Sequence, residues 1–240
     1  MMSLEIKPCS YDETALAPKG SKRQIQLVVN NARELVDTVI GEALGGSLAL
    51  EWVSPLKADR YREYWDSAFL KALGMSRYER ELSVFWPNGG PHWDALAKVK
   101  TGSGGVMLVE AKSHVDEMYA EGSRAKPESK PLAMIDAAIA QTKTWLNVDS
   151  AADWMGKHSY SLNGKPRRGS LYQTANRLAH LYFFREILGI NAWLVNVYFI
   201  GDPYQPTLRT DWEVGIADAK RALRLGPVPF SADVFLHASA

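Results

Sequence analysis

Residues 90–114 read GPHWDALAKVKTGSGGVMLVEAKSH, and how this stretch folds decides how the rest of the chain is read. Two apolar runs, 92–99 and 105–113, flank TGSGG, the pattern of two strands joined by a tight turn. A three-residue loop centred on Gly102 sets the register. Val99 then faces Gly105, Ala97 faces Met107, Leu96 faces Leu108 and Ala95 faces Val109. The same register puts Asp94 directly opposite Glu110, and side-chain alternation puts Lys112 on the face of Glu110, one pleat further on.

Opposed residues in such a ribbon have β-carbons about 4.5–5.5 Å apart. Two carboxylates held that close within strands as apolar as VMLV repel each other and lose hydration. A fold accommodates them by sharing a proton or by placing a divalent cation between them. Carboxylate oxygens select a hard ion, Mg2+ first and Mn2+ second. Lys112 adds a positive charge beside that ion, where a phosphate oxygen or an attacking water can use it. Two acids, a metal and an ammonium make a site for phosphodiester hydrolysis, because the metal lowers the pKa of bound water and offsets charge as the bond breaks. The plainer alternative is a solvated strand end. Val106, Leu108 and Leu96 argue against it, since they turn that face toward a core.

Outward from the hairpin, the apolar spacing predicts a helix from Ser21 to about Leu44, closed by Gly45-Gly46, and a short strand over 48–53 stopped by Pro55. A second helix is expected over 58–73, with Tyr61, Trp65, Phe69 and Leu73 on its buried side. Strands are expected over 82–86, 92–99 and 105–113. Helices follow over 129–146 and 170–188, with a polar connection, KHSYSLNGKPRRG, between them. A strand over 192–200, a helix over 211–225 and a last strand over 234–237 complete the chain. A strand meander followed by a helical crossover implies an α/β fold with a mixed sheet and helices packed on it.

The segments FWPNGGPHWDALA, VMLVEAKSH and LYQTANRLAHLYFFRE, with a gap of 15 residues between Asp94 and Glu110-Ala111-Lys112, resemble an uncharacterised branch of the PD-(D/E)XK nuclease superfamily, which includes type II restriction enzymes and junction resolvases. The resemblance runs from about Ala58 to Ile200. It implies a restriction-endonuclease-like core of helix, three-strand meander, helical crossover and further strand, with extra N- and C-terminal helices. It also implies a Mg2+-dependent nuclease with Asp94 and Glu110 as metal ligands and Lys112 as the catalytic cation. One position departs from the pattern: Trp93 precedes Asp94 where the family has proline, and the nearest proline is Pro91.

The family adds a glutamate from the helix before the first strand, for which Glu34, Glu42, Glu63, Glu79 and Glu81 are the candidates. A helix over 58–73 running back along strand 82–86 brings its first turns near the site and leaves Glu79 and Glu81 at the far end, which selects Glu63. The helix over 170–188 is apolar nearly all round except for a stripe of Gln173, Asn176, Arg177 and His180. Gln173 and Arg177 are candidates for positioning phosphate or water. His180, among core residues, is read as structural. Lys165, Arg167 and Arg168, with Lys157, lie in a connection without acids that is able to follow a nucleic-acid backbone. The Trp and Tyr residues fall mostly at helix-face or strand positions and are read as core, not as a base-stacking platform. Gly102, Gly104 and Gly105 form a turn with no helix start after it, so they do not cradle a phosphate.

Composition bounds the rest. The 240 residues are 46% hydrophobic, with 28 Lys and Arg against 27 Asp and Glu, so the formal charge is +1. That suits a flexible segment over 1–20 followed by one nuclease-like domain over 21–240. It excludes a strongly basic nucleic-acid wrapper but permits a local basic groove. The lone Cys9 excludes an internal disulfide framework and a cysteine zinc site. The N-terminus has no apolar signal region and no run is long enough to span a bilayer, so a cytoplasmic protein without membrane contact is expected. The expected partner is nucleic acid, DNA first. A homodimer is compatible with cutting both strands, but no interface signal selects an oligomeric state. The alternative to the enzyme is a catalytically inactive nuclease fold used as a binding or assembly module.

Overall fold

The computed structural model describes residues 16–162 and 164–239. Residues 1–15, with Cys9, lie outside the described residues; Ala17 is buried, and its N–H donates to Gln26 Oε1 at 2.7 Å. The chain is an α/β protein built on a five-stranded mixed sheet. Its elements in order are α1 (Gly20–Asn31), α2 (Arg33–Ala43), β1 (Leu50–Ser54), α3 (Asp66–Ala72), α4 (Glu79–Phe85), β2 (Ala95–Val99), β3 (Gly105–Lys112), α5 (Lys130–Trp145), β4 (Lys157–Leu162), β5 (Lys165–Ser170), α6 (Tyr172–Tyr182), β6 (Ala192–Ile200), α7 (Arg209–Ala222) and β7 (Ser231–His237). Sheet order is β1-β2-β3-β6-β7, antiparallel from β1 to β3 and parallel from β3 to β7. No helix among the described residues is long and apolar enough to cross a membrane.

Alternation along the strands divides the core in two. Ala95, Ala97, Met107, Val109, Val195 and Val197 face Ile25, Val29, Val36 and Ile40 of α1 and α2. Leu96, Val106, Leu108 and Leu194 face the opposite layer, where α3 to α7 pack. β3 lies in the middle of the sheet and is covered on both faces, so a charged residue at its C-terminal end is drawn into the interior.

Several expectations need correction. The segment 82–86 is not a strand: Glu79–Phe85 is helical, with Leu82 and Phe85 buried one turn apart and Val84 74% exposed. Five residues are too few to separate alternation from helical spacing. The meander therefore begins at β1, before Ala58. The expected helix over 58–73 is a short 3-10 turn (Lys57–Asp59), an extended stretch and then α3. Finally, the connection KHSYSLNGKPRRG is a two-stranded hairpin, β4–β5, whose sequence carries the Asn-Gly pair favoured in tight hairpin turns.

The long N-terminal helix is broken at Ala32 (φ −137°). Just before the break, Asn30 ties α1 to the segment after β1, donating to Pro55 O and accepting from Lys57 N–H. The break lets two short helices follow a twisted sheet that one straight helix would cross. At the other end of the chain of helices, α6 passes into one π-helical turn over Phe183–Ile187.

Candidate active site

The β2–β3 register follows the turn at Gly102: Ala95 pairs with Val109, Leu96 with Leu108, Ala97 with Met107 and Val99 with Gly105. Asp94, one residue before β2, reaches across to the β3 end, and its Oδ2 accepts the Ala111 N–H at 2.7 Å. Glu110 is 5% exposed. One of its oxygens accepts from Lys112 Nζ at 2.5 Å and the other from Arg177 Nε at 2.5 Å. Lys112 also donates to Gln173 Oε1 at 3.0 Å. Arg177 donates through Nη2 to His92 O at 2.8 Å, and its guanidinium lies over the Trp93 ring, 4.9 Å from the centroid. Gln173 and Arg177, four residues apart on α6, thus lie on the helix face that caps the end of β3.

The two acids are electrostatically unlike. Burial pushes the Asp94 carboxyl up, the Glu110 charge adds to it, and Glu63 contributes further, raising it to about 8. Burial acts the same way on Glu110, but Arg177 and Lys112 outweigh it and hold that carboxyl below the ordinary range. Lys112 loses hydration too, yet Glu110 and Asp94 more than compensate and keep the ammonium charged. Glu110 is therefore a fixed anion clamped by two cations, while Asp94 keeps its proton into the neutral range.

Glu63 reaches this site by a route other than a helix. The extended residues after the 3-10 turn form an antiparallel bridge, Tyr64 with Trp93, on the edge of the sheet beyond β1. That bridge brings Glu63 alongside Asp94, which accounts for its effect on the Asp94 carboxyl. Lys22 of α1 pairs with Glu63 at 3.3 Å. Glu79 and Glu81 are exposed residues in the first turn of α4.

The remaining members of the polar stripe and the basic connection are arranged differently. His180 is 1% exposed among Phe69, Phe85, Trp86 and Trp93, and its Nδ1 lies 2.9 Å from Asn176 O. Burial pulls its pKa down to about 3, so it is a neutral packing residue. Lys165, Arg167 and Arg168 lie on the exposed first part of β5, and Arg167 pairs with Asp116 at 2.9 Å. The hairpin is joined through a Ser170–Ala120 bridge to the segment that lines a groove of about 1020 Å³. Residues 86–92, residues 120–126 and the first turns of α6, with Gln173 and Arg177, line that groove.

Sequence reading did not find three contributors. Lys22 and the Ala111 N–H carry no signature that one sequence reveals. Asn196 does: it is a lone amide in the apolar run AWLVNVYFI. Parallel pairing sets it between Glu110 and Asp233, to which its Nδ2 donates at 2.9 Å.

Whether the site suits a hard divalent cation turns on its donors. Among the described residues no group of three or more His, Cys, Asp or Glu side chains is gathered as a complete ligand set. Mg2+ does not require one, since it commonly keeps several waters and takes one or two carboxylates plus substrate phosphate oxygens. Asp94 and Glu110 offer two carboxylates, although both Glu110 oxygens already accept from Lys112 and Arg177. Burial raises the Asp94 carboxyl first, and the Glu110 and Glu63 charges, which a cation would relieve, raise it further. Comparisons with protein-family models, with curated proteins and with solved structures found no match.

Proposed function

We propose that the protein is a divalent-metal-dependent nuclease that hydrolyses phosphodiester bonds, DNA first among its substrates, and that its core belongs to the restriction-endonuclease-like arrangement. One observation carries this: two carboxylates from adjacent strands, Asp94 and Glu110, meet at a buried strand end, with the Lys112 ammonium on the same face and Glu63 beside them. The antiparallel β1–β2–β3 meander, the helical crossover and the parallel β6 support the fold assignment.

In this proposal Asp94 and Glu110 hold the ion, which when bound supplies an activated water and offsets charge on the phosphate. Lys112, fixed by Glu110 and Gln173, faces the reacting phosphate and stabilises the negative charge that develops there. Arg177 fixes the Glu110 carboxylate and, through His92 O, the loop before Asp94, so both acids keep their positions. Gln173 orients the ammonium. Glu63 raises the demand for a cation at Asp94.

Cleavage of plasmid and single-stranded DNA with Mg2+, Mn2+ or EDTA tests the proposal. Wild type should cleave only with metal, and Lys112→Met should lose about 10²–10³-fold in rate. Equal activity of wild type and Asp94→Ala would contradict it. A second reading, an inactive nuclease fold used as a binding module, draws on the fact that both Glu110 oxygens are already occupied by Lys112 and Arg177. It predicts no metal-dependent cleavage of either substrate.

A further inference from the structure

We propose that the groove in front of Gln173 and Arg177 takes a single nucleic-acid strand, with the His92–Trp65 pair as its base-stacking platform and Arg124 and Lys126 meeting its phosphates. This rests on the nuclease reading and adds the substrate class.

Volume is the first argument. The groove measures about 1020 Å³. A duplex with grooves about 8.5 and 7.5 Å deep is roughly 20 Å across and advances about 3.4 Å per base pair, so one base pair sweeps on the order of 1,000 Å³. One base pair of duplex already fills the groove, whereas a lone strand, at half that volume per nucleotide, lays about two nucleotides along it. Depth points the same way: Arg177, which lines the groove, is 6% exposed, and Glu110, the carboxylate it donates to, is 5% exposed, so a scissile phosphate has to leave any flat surface to meet them.

The lining supplies the second argument. His92 is exposed at the groove wall, and its ring is stacked on Trp65 with centroids 4.6 Å apart and planes 14° apart. Its own carbonyl accepts from Arg177, so this ring is anchored to the catalytic cluster. An exposed ring backed by a half-buried indole, beside the proposed hydrolytic site, is the kind of element that single-strand binders use, because every base has a π-face to stack. Arg124 and Lys126 are exposed on another lining segment. Arg124 pairs with the similarly exposed Glu121 at 3.3 Å, a pairing weak enough to yield to a phosphate. A formal charge of +1 gives the molecule no broad positive field for gripping a duplex, so stacking must carry more of the affinity.

Fluorescence anisotropy tests this, with a short labelled oligothymidylate, the ribonucleotide strand of the same length and a blunt duplex of that length, all in EDTA so that nothing is cleaved. One of the two single strands should bind at least about tenfold more tightly than the duplex. His92→Ala, which keeps the backbone carbonyl, should weaken single-strand binding about tenfold, while His92→Phe should retain it. Equal or tighter duplex binding, no binding to any probe, or an unchanged His92→Ala would each overturn the inference. The two proposals fail separately. Single-strand preference without metal-dependent cleavage sinks the nuclease alone, and metal-dependent cleavage with equal binding to duplex sinks the single-strand assignment alone.

Discussion

The site has two flanks of opposite character. On the α6 side, Glu110 lies between Arg177 and Lys112 and is held ionised. On the sheet edge, Asp94 has one backbone N–H and the company of Glu63, and its carboxyl is raised to about 8. Both are acids at the same buried strand end, so burial alone does not distinguish them; the neighbours do. The lesson is a division of labour. The Glu110 flank is a finished structural network, whereas the Asp94 flank carries surplus negative charge and is completed only by a proton or a cation.

Breaking the finished flank should cost most. Arg177→Met leaves Glu110 buried with one cation instead of two and frees the His92 loop, and removing one partner of a buried pair typically costs about 3–5 kcal/mol. Urea denaturation measures this, and a loss under 1 kcal/mol would mean that the network adds little to the fold.

The edge flank should respond with the opposite sign. Asp94 has a folded-state pKa of about 8 against an ordinary 3.8, so the native protein binds more protons than the unfolded chain between those values. Stability contributed by this residue is therefore full in acid and declines as pH rises toward 8. Asp94→Asn should remove the decline, leaving the variant more stable than wild type by more than about 1 kcal/mol at pH 8.5 and indistinguishable from it near pH 4. Parallel denaturation curves at the two pH values provide the check.

The smallest effect belongs to Glu63→Gln. Lys22 loses its partner and Asp94 loses one repulsion, so metal-free stability should change by about 1 kcal/mol or less. Metal affinity should drop severalfold, as measured by titration. A variant indistinguishable from wild type in metal binding would remove Glu63 from the site.

The hairpin that carries Asp94, Glu110 and Lys112 was legible because period-two alternation and a glycine turn fix a register residue by residue. The stripe of Gln173 and Arg177 was legible for a similar reason, as polar groups on a helix otherwise built for burial. Glu63 was chosen for a geometry that does not exist: strand 82–86 and helix 58–73 are α4 and an extended edge segment, and Glu63 comes to Asp94 through the Tyr64–Trp93 bridge. No local pattern encodes that bridge, because it depends on where the chain returns after β1. The β4–β5 hairpin was hard to read because β5 is mostly charged and exposed and β4 buries only part of one face, through Tyr160 and Leu162, leaving the Asn-Gly pair as the main signal.

Mn2+ titration followed by the electron paramagnetic resonance of the free ion tests the central claim most directly. Wild type should remove one Mn2+ per chain from solution at millimolar or lower concentration, and Asp94→Asn and Glu110→Gln should each abolish that uptake while remaining folded. Undiminished uptake by either variant, or none by wild type, would contradict a metal shared by these two carboxylates.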